Sequence, residues 1–179
     1  MQGCGSVGLN LARELRAAGA RLLIADVEGE RAARAARELD AQVVAAEEIY
    51  DAPADVFAPC ALGGVINDET APLLRVEIVC GAANNQLLEA RHGDALNARG
   101  ILYTPDYAVN AGGVINGCRE LLGWTPGQSA RKIDALYDTL LDIFRLARDQ
   151  NIPTHSAADR LAEARLDPAK AHGPTGGRA

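Results

Sequence analysis

The sequence is poor in lysine. Two are present, Lys132 and Lys170, against 16 arginines. Aromatic residues make up 4%, and there is one methionine. The three histidines, His92, His155 and His172, stand far apart, with no second ligand at a metal-binding spacing. The four cysteines, Cys4, Cys60, Cys80 and Cys118, form no C-x-x-C pair. No metal site and no disulfide framework is therefore expected, and the cysteines read as buried thiols of a reducing cytoplasm. A basic face is lacking too. Lys+Arg is 18 against Asp+Glu 24, for a net charge of −6. Nucleic acid and anionic membrane surfaces are excluded as expected partners, since both attract cationic faces. No run approaches the roughly 18 apolar residues of a membrane span. The first residues lack the charged start and apolar stretch of a secretory signal, so a cytoplasmic location is expected.

What is present suits one globular domain. The chain has 179 residues, 48% of them apolar, enough for a sizeable core. Gly3-Cys4-Gly5-Ser6-Val7-Gly8 opens a predicted helix, with Val7, Leu11 and Leu15 recurring at spacing four on one apolar face and Gly19 as a left-handed cap. Arg21–Ala25 reads as a buried parallel strand, Glu28–Leu39 as a helix and Ala41–Ala46 as a short strand. Further strands are expected at Asp55–Cys60, Glu77–Gly81 and Gly100–Pro105, with helical stretches between. After Pro105 only helices are expected, over residues 108–123, 128–150 and Thr154–Leu166, with Thr154 or Ser156 capping the last. The expected fold class is α/β: a Rossmann-like, doubly wound, mostly parallel sheet followed by C-terminal helices. The expected domains are a dinucleotide-binding unit at 1–118, helices at 119–166 and a disordered tail at 167–179.

One strand is largely missing. The fingerprint is strand, tight turn, helix, yet only Met1 and Gln2 precede the first glycine. That strand is central in a doubly wound sheet. Its loss is expected to leave unpaired backbone edges on both sides. The chain is thus expected to be the C-terminal part of a longer protein, or to be read from a late start.

The chemistry gathers at strand ends. Gly3 permits the turn, Gly5 clears a path for a pyrophosphate to backbone N–H groups, and Gly8 permits close packing. Asp26 ends the next strand, where a carboxylate can take both hydroxyls of an adenosine ribose. It favours NAD over NADP. A 2′-phosphate carries about −1.5 to −2 charge. Each unit of like charge at about 4 Å costs on the order of 4 kcal/mol at an effective dielectric of 20. Arg31 and Arg34 could soften this repulsion, but they read as solvated helix charges. Three more motifs follow strand ends: Ala58-Pro-Cys-Ala-Leu-Gly-Gly64, Gly81-Ala-Ala-Asn-Asn-Gln86 and Pro105-Asp-Tyr-Ala-Val-Asn-Ala-Gly-Gly-Val114. All three should converge on one crevice, because ligands of open parallel sheets bind beyond the carboxyl ends of the strands.

Together these motifs closely resemble the amino-acid dehydrogenases acting on leucine, valine and phenylalanine, within the glutamate dehydrogenase-like superfamily. The resemblance covers roughly residues 1–166. It implies NAD-dependent oxidative deamination of a branched-chain or aromatic L-amino acid to a 2-oxo acid and ammonia. It implies that Gly3, Gly5, Ser6, Val7 and Gly8 hold the pyrophosphate, and that Asp26 and Val27 meet the adenosine. Cys60, Ala61, Leu62, Ala83, Asn84 and Asn110 fall on the nicotinamide side, and Asn85, Asn110, Val114 and Gly117 near the substrate. Gly117 adds no bulk to that pocket, so side chains larger than valine are expected to fit.

The sequence departs from the family in one respect. Members carry, ahead of the first glycine, a domain with two lysines and an aspartate that bind substrate and move protons. Neither Lys132 nor Lys170 lies in such a context. No catalytic residue is expected in this chain, which alone should not turn over. The parent protein is expected to be a homo-oligomer. The alternatives are a non-catalytic NAD-binding module or degenerate fragment, and a dehydrogenase for another amino acid such as glutamate.

Overall fold

The structure is a computed structural model, described over residues 1–166. The tail expected at 167–179 lies outside the described residues. Five short strands run parallel in two ladders. In one, β1 (Leu23–Ile24) pairs with β2 (Gln42–Val43), with Leu23 opposite Gln42. In the other, β3 (Val56–Phe57), β4 (Ile78–Val79) and β5 (Leu102–Tyr103) lie in that order.

Gln2 joins the ladders. It forms parallel bridges to Ala25 on one side and Pro59 on the other. Its N–H donates to the Ala58 carbonyl at 3.0 Å, and its carbonyl accepts the Cys60 N–H at 2.7 Å. The Met1 carbonyl accepts the Ala25 N–H at 3.0 Å, and the Gly3 N–H donates to the Ala25 carbonyl at 2.7 Å. Ala25, the Ala58 carbonyl and the Cys60 N–H are therefore paired along this row, where unpaired edges were expected. The flanking strands are themselves two residues long, and the dipeptide pairs with the residues that follow each of them. The lateral order is β2, β1, residues 1–2, β3, β4, β5, as in a doubly wound α/β fold.

Three helices connect these rows: α1 (Ser6–Ala17), α2 (Gly29–Leu39) and α3 (Ala90–Ala98). α1 stops just before Gly19, whose φ of +91° is the expected left-handed cap. The inner face of α2 is Ala32, Ala35, Ala36 and Leu39, small enough for close approach to Ala12 of α1 and Ile24 of β1. A second core fills the space around β3–β5 with Phe57, Ile66, Leu74, Val79, Leu96 and Ile101.

The inner face of α1 differs from the expected one. Gly8 and Ala12 are buried, whereas Val7 is 60% exposed. The cause is steric. α1 lies so close to the glycine turn that only Gly8 fits against the Gly3 carbonyl, which rotates Val7 outward. Leu11 and Leu15 remain partly buried against that core.

The two long helices expected after Pro105 are four: α4 (Asp106–Val109), α5 (Gly112–Leu121), α6 (Pro126–Asp134) and α7 (Leu136–Gln150). The break after α4 falls at Asn110, whose side chain turns back to Asn84. α6 starts with a Thr125/Gln128 capping box and Pro126 in its first turn. Only Ala135 separates α6 from α7. α8 (Thr154–Leu166) matches expectation, but Thr154 is not its cap: its hydroxyl donates to the Tyr103 carbonyl at 2.5 Å. That bond ties α8 to the end of β5. Ala108 of α4, Ile143 and Ala147 of α7, and Ala157 and Ala158 of α8 form a third core. No helix among the described residues is long and apolar enough to cross a membrane.

The Gly8 contact generates a test. A Cβ there would collide with the Gly3 carbonyl and stand 3.2 Å from the Cys60 Cβ. Gly8→Ala should destabilise the chain by about 1–3 kcal/mol through overpacking, read as a lower urea midpoint. An unchanged midpoint would contradict the contact.

Candidate functional site

The glycine turn forms first. Gly3 sits at φ +94°, a backbone state that disfavours side chains, and a Cβ there would stand 2.8 Å from the Ala61 Cβ. Gly5 is the residue before α1, extended at φ −68° and ψ −172°, with nothing within 4 Å of where a Cβ would stand. No side chain caps α1. The N–H groups of Ser6, Val7 and Gly8 therefore have no intrahelical acceptor and carry the positive end of the helix dipole. A cleft of about 460 Å³ opens beside them, lined by Cys4, Gly5, Ser6, Leu9, Arg31 and Arg34 among others.

Asp26 lies at the end of β1, next to this turn. Its side chain is 4% exposed. One oxygen accepts the Cys4 N–H at 2.7 Å and the other the Glu28 N–H at 2.9 Å. Arg31 stands 3.7 Å from Asp26 and 2.6 Å from Glu28. Arg31 is thus engaged by two carboxylates rather than merely solvated. Val27 projects into solvent.

The three strand-end loops do meet, as expected. Gly63 lies against the Asn84 and Asn85 carbonyls, and Gly64 donates its N–H to the Asn85 carbonyl at 2.7 Å. Gly81 packs directly on Pro59. Asn110 donates its side-chain amide to the Asn84 Oδ1 at 2.7 Å and to the Ala83 carbonyl at 3.4 Å. Cys60 and Ala61 touch the glycine turn, and Leu62 is exposed at its rim. Val114 and Gly117 lie three residues apart on α5, a helix with no buried residue, and nothing stands within 4 Å of a Cβ built on Gly117. The larger surface concavity, about 670 Å³, is elsewhere. Arg21, Asp55, Glu77 and Ile101 line it at the amino ends of the strands, away from every motif. Placement beyond the carboxyl ends outweighs volume here, because there the loops and α1 aim their donors at one space.

Two residues of this site escaped the sequence reading. Gln86 is fully buried and donates to the Gly81 carbonyl at 2.8 Å and the Ala83 carbonyl at 3.0 Å, bracing the loop from inside. Asp106 accepts the Asn85 N–H from across the crevice. A glutamine in a run of small residues and an aspartate after proline were the available signals. Neither signal names its partner.

Of the four cysteines, expected as buried thiols, Cys4 is buried and Cys60, Cys80 and Cys118 are half-buried. Burial, seconded by the nearby Asp26 carboxylate, pushes the Cys4 thiol up to about 11. Burial also raises Cys60 and Cys80. Among the described residues no cluster of His, Cys, Asp or Glu could hold a metal ion.

Residues 20–165 match the family described as Glutamate/Leucine/Phenylalanine/Valine dehydrogenase. The chain belongs to this family. It is 47% identical over 167 residues to a leucine dehydrogenase of Geobacillus stearothermophilus, covering 93% of this chain and 46% of that protein. It is 47% identical over 171 residues to a phenylalanine dehydrogenase of Caldalkalibacillus thermarum, with 93% and 46% covered. The crystal structure of L-tryptophan dehydrogenase from Nostoc punctiforme superposes with a TM-score of 0.89 at 46% identity, over 93% of this chain and 51% of that one. The chain spans about half the length of the relatives it matches.

The Cys4 environment sets a pH dependence. An unfolded thiol ionises near 9.0, and the folded one near 11. The folded state then holds a proton that the unfolded state has released, so this contribution to stability is intact below pH 9 and declines towards pH 11. Urea denaturation of wild type and Cys4→Ala across that range should show a shallower decline in the variant. Parallel curves would contradict the shift.

Proposed function

We propose that this chain is the NAD-binding part of an amino-acid dehydrogenase that oxidatively deaminates a branched-chain or aromatic L-amino acid to a 2-oxo acid and ammonia. The observation that carries this reading is the meeting of an uncapped helix N-terminus, a buried carboxylate and three strand-end loops along one edge of the sheet. Residues 1–118 are assigned to the dinucleotide-binding unit and 119–166 to C-terminal helices, with α5 crossing between them.

The residues fit the coenzyme. The open space over Gly5 and the free N–H groups of Ser6, Val7 and Gly8 suit a pyrophosphate, and Gly3 and Gly8 keep that turn tight. Asp26 keeps unused lone pairs beside its two backbone donors, so it can still accept ribose hydroxyls, with Val27 beside the adenosine. Arg31 is drawn to Glu28 and Asp26, which leaves less positive charge for a 2′-phosphate. NAD is therefore favoured over NADP. Cys60, Ala61, Leu62, Ala83, Asn84 and Asn110 would hold the nicotinamide half, and Asn85, Asn110, Val114 and Gly117 would face the substrate. Bound there, NAD would supply the hydride acceptor for oxidation at the substrate Cα. This chain's part is alignment: small residues allow close approach, and the Asn84–Asn110 pair fixes two amides at the crevice.

The proton-transfer groups belong to the rest of the parent protein, expected to be a homo-oligomer. Lys132 does not replace them: its ammonium lies 4.4 Å over the Trp124 ring. A hydride site without its acid and base loses on the order of 10²–10⁴-fold in rate.

Calorimetric titration should show tighter binding of NAD than of NADP, and the same preparation should form no NADH when given L-leucine or L-phenylalanine. Equal affinity for both coenzymes would remove the role given to Asp26. Amino-acid-dependent NADH would show that this chain holds its own catalytic groups. In the whole parent enzyme, Gly117→Val should shift preference from phenylalanine towards valine by roughly tenfold, the steric worth of one or two methylenes. An unchanged ratio of kcat/KM would take Gly117 out of the pocket.

A further inference from the structure

We propose that Asp106 is a positioning residue that sets the geometry of the nicotinamide half of the crevice by pinning the loop after β4, without itself touching the coenzyme. This rests on the NAD-binding reading above. Asp106 begins α4, directly after Pro105 at the end of β5. One carboxylate oxygen accepts the Asn85 N–H from the neighbouring strand's loop. The other accepts the Tyr103 hydroxyl at 3.1 Å. Tyr103 is itself a fixed post: it is buried, and its carbonyl accepts the Thr154 hydroxyl of α8 at 2.5 Å. The carboxylate is therefore held from behind while it holds the loop in front.

Asn85 needs holding. It lies at φ +52°, in the left-handed region where residues other than glycine are strained, although asparagine tolerates it best. This reversal determines where its neighbours point. The Asn85 carbonyl is delivered to the Gly64 N–H at 2.7 Å, which locates the loop after β3. The Asn84 side chain is delivered to the Asn110 amide at 2.7 Å. Three loops thus register on one another in sequence: α4 holds Asn85, Asn85 holds Gly64, and Asn84 meets Asn110. A charged acceptor suits the first link, because hydrogen bonds to a carboxylate are stronger than neutral ones.

The glycine turn and Asp26 are not part of this chain of bonds. They are hydrogen-bonded through Ala25, Cys4 and Glu28, and the turn meets the loop after β3 at Cys60 and Ala61, ahead of the Gly64 link. Loss of Asp106 should therefore divide the site, weakening the nicotinamide half and sparing the adenosine half. A residue that merely supported the fold would weaken both.

The test compares wild type, Asp106→Ala and Asp106→Asn in the full chain, titrated with NAD and separately with AMP, alongside hydrogen exchange of backbone amides. Asp106→Ala should weaken NAD by about tenfold, the scale of one charged hydrogen bond, while AMP affinity stays within about twofold. Exchange at the Asn85 and Gly64 amides should quicken, and that at Gly3 and Cys4 should not. Asp106→Asn retains one acceptor oxygen and should fall between, which also covers the case in which the alanine variant fails to fold. Equal weakening of NAD and AMP, or unchanged NAD affinity, would overturn the proposal. So would unchanged exchange at Asn85 and Gly64. Should wild type bind AMP and not NAD, the NAD reading falls and the coenzyme role of Asp106 with it; quickened exchange would then support only the pinning of the loop.

Discussion

The backbone of Gln2 touches both halves of the sheet. Its N–H and carbonyl reach Ala58 and Cys60, while its neighbours Met1 and Gly3 bond Ala25 on the other side. Remove these bonds and, among the described residues, the β1–β2 ladder has no backbone link to β3–β5. The glycine turn begins on the next residue, so the same row that joins the sheet also aims α1 at the crevice. A buried backbone group without a partner is costly, and here two residues supply partners to strands on both flanks. The site is an outgrowth of that join. Cys60 and Ala61, which follow Gln2's partner, press against Gly3 and Gly8.

Close approach is the second constraint. At Gly3, Gly8, Gly63 and Gly81 a side chain would strike a neighbouring loop. Gly5 differs, for there the missing side chain leaves open space. One kind of residue thus serves two ends. At the first four, absence of a side chain lets protein meet protein; at Gly5 it leaves the helix N-terminus open. The polar groups show the same division. Gln86 spends its amide on the carbonyls of its own loop, whereas α1 leaves its first N–H groups without a side-chain cap.

Much of this was legible from residue order. Each expected strand forms, shortened to a two-residue ladder, and the motifs that follow the strands meet where a parallel sheet brings them together. Gly19 caps α1 as its place after an amphipathic run implied. Val7 was misplaced because periodicity finds a stripe but not which edge of it faces inward; contact of Gly8 with Gly3 decided that. The long helices were overextended for a related reason. Asn110 and the Gly112-Gly113 pair permit a break without requiring one, and the bond from Asn110 to a loop 26 residues away fixes the turn there. Thr154 looked like a cap because threonine caps helices often, yet β5 offered its hydroxyl a carbonyl.

The sequence by itself determined the fold class, the family resemblance and the residue types at the strand ends. These follow from local properties: apolar runs, glycine spacing and a carboxylate after a strand. Tertiary structure alone decided the pairings. That Asp106 holds Asn85, that Gln2 bridges two ladders and that Arg31 is drawn to Asp26 are facts about residues brought together by packing. A hydrogen bond needs both partners within about 3 Å, and a linear sequence carries no distance between strands.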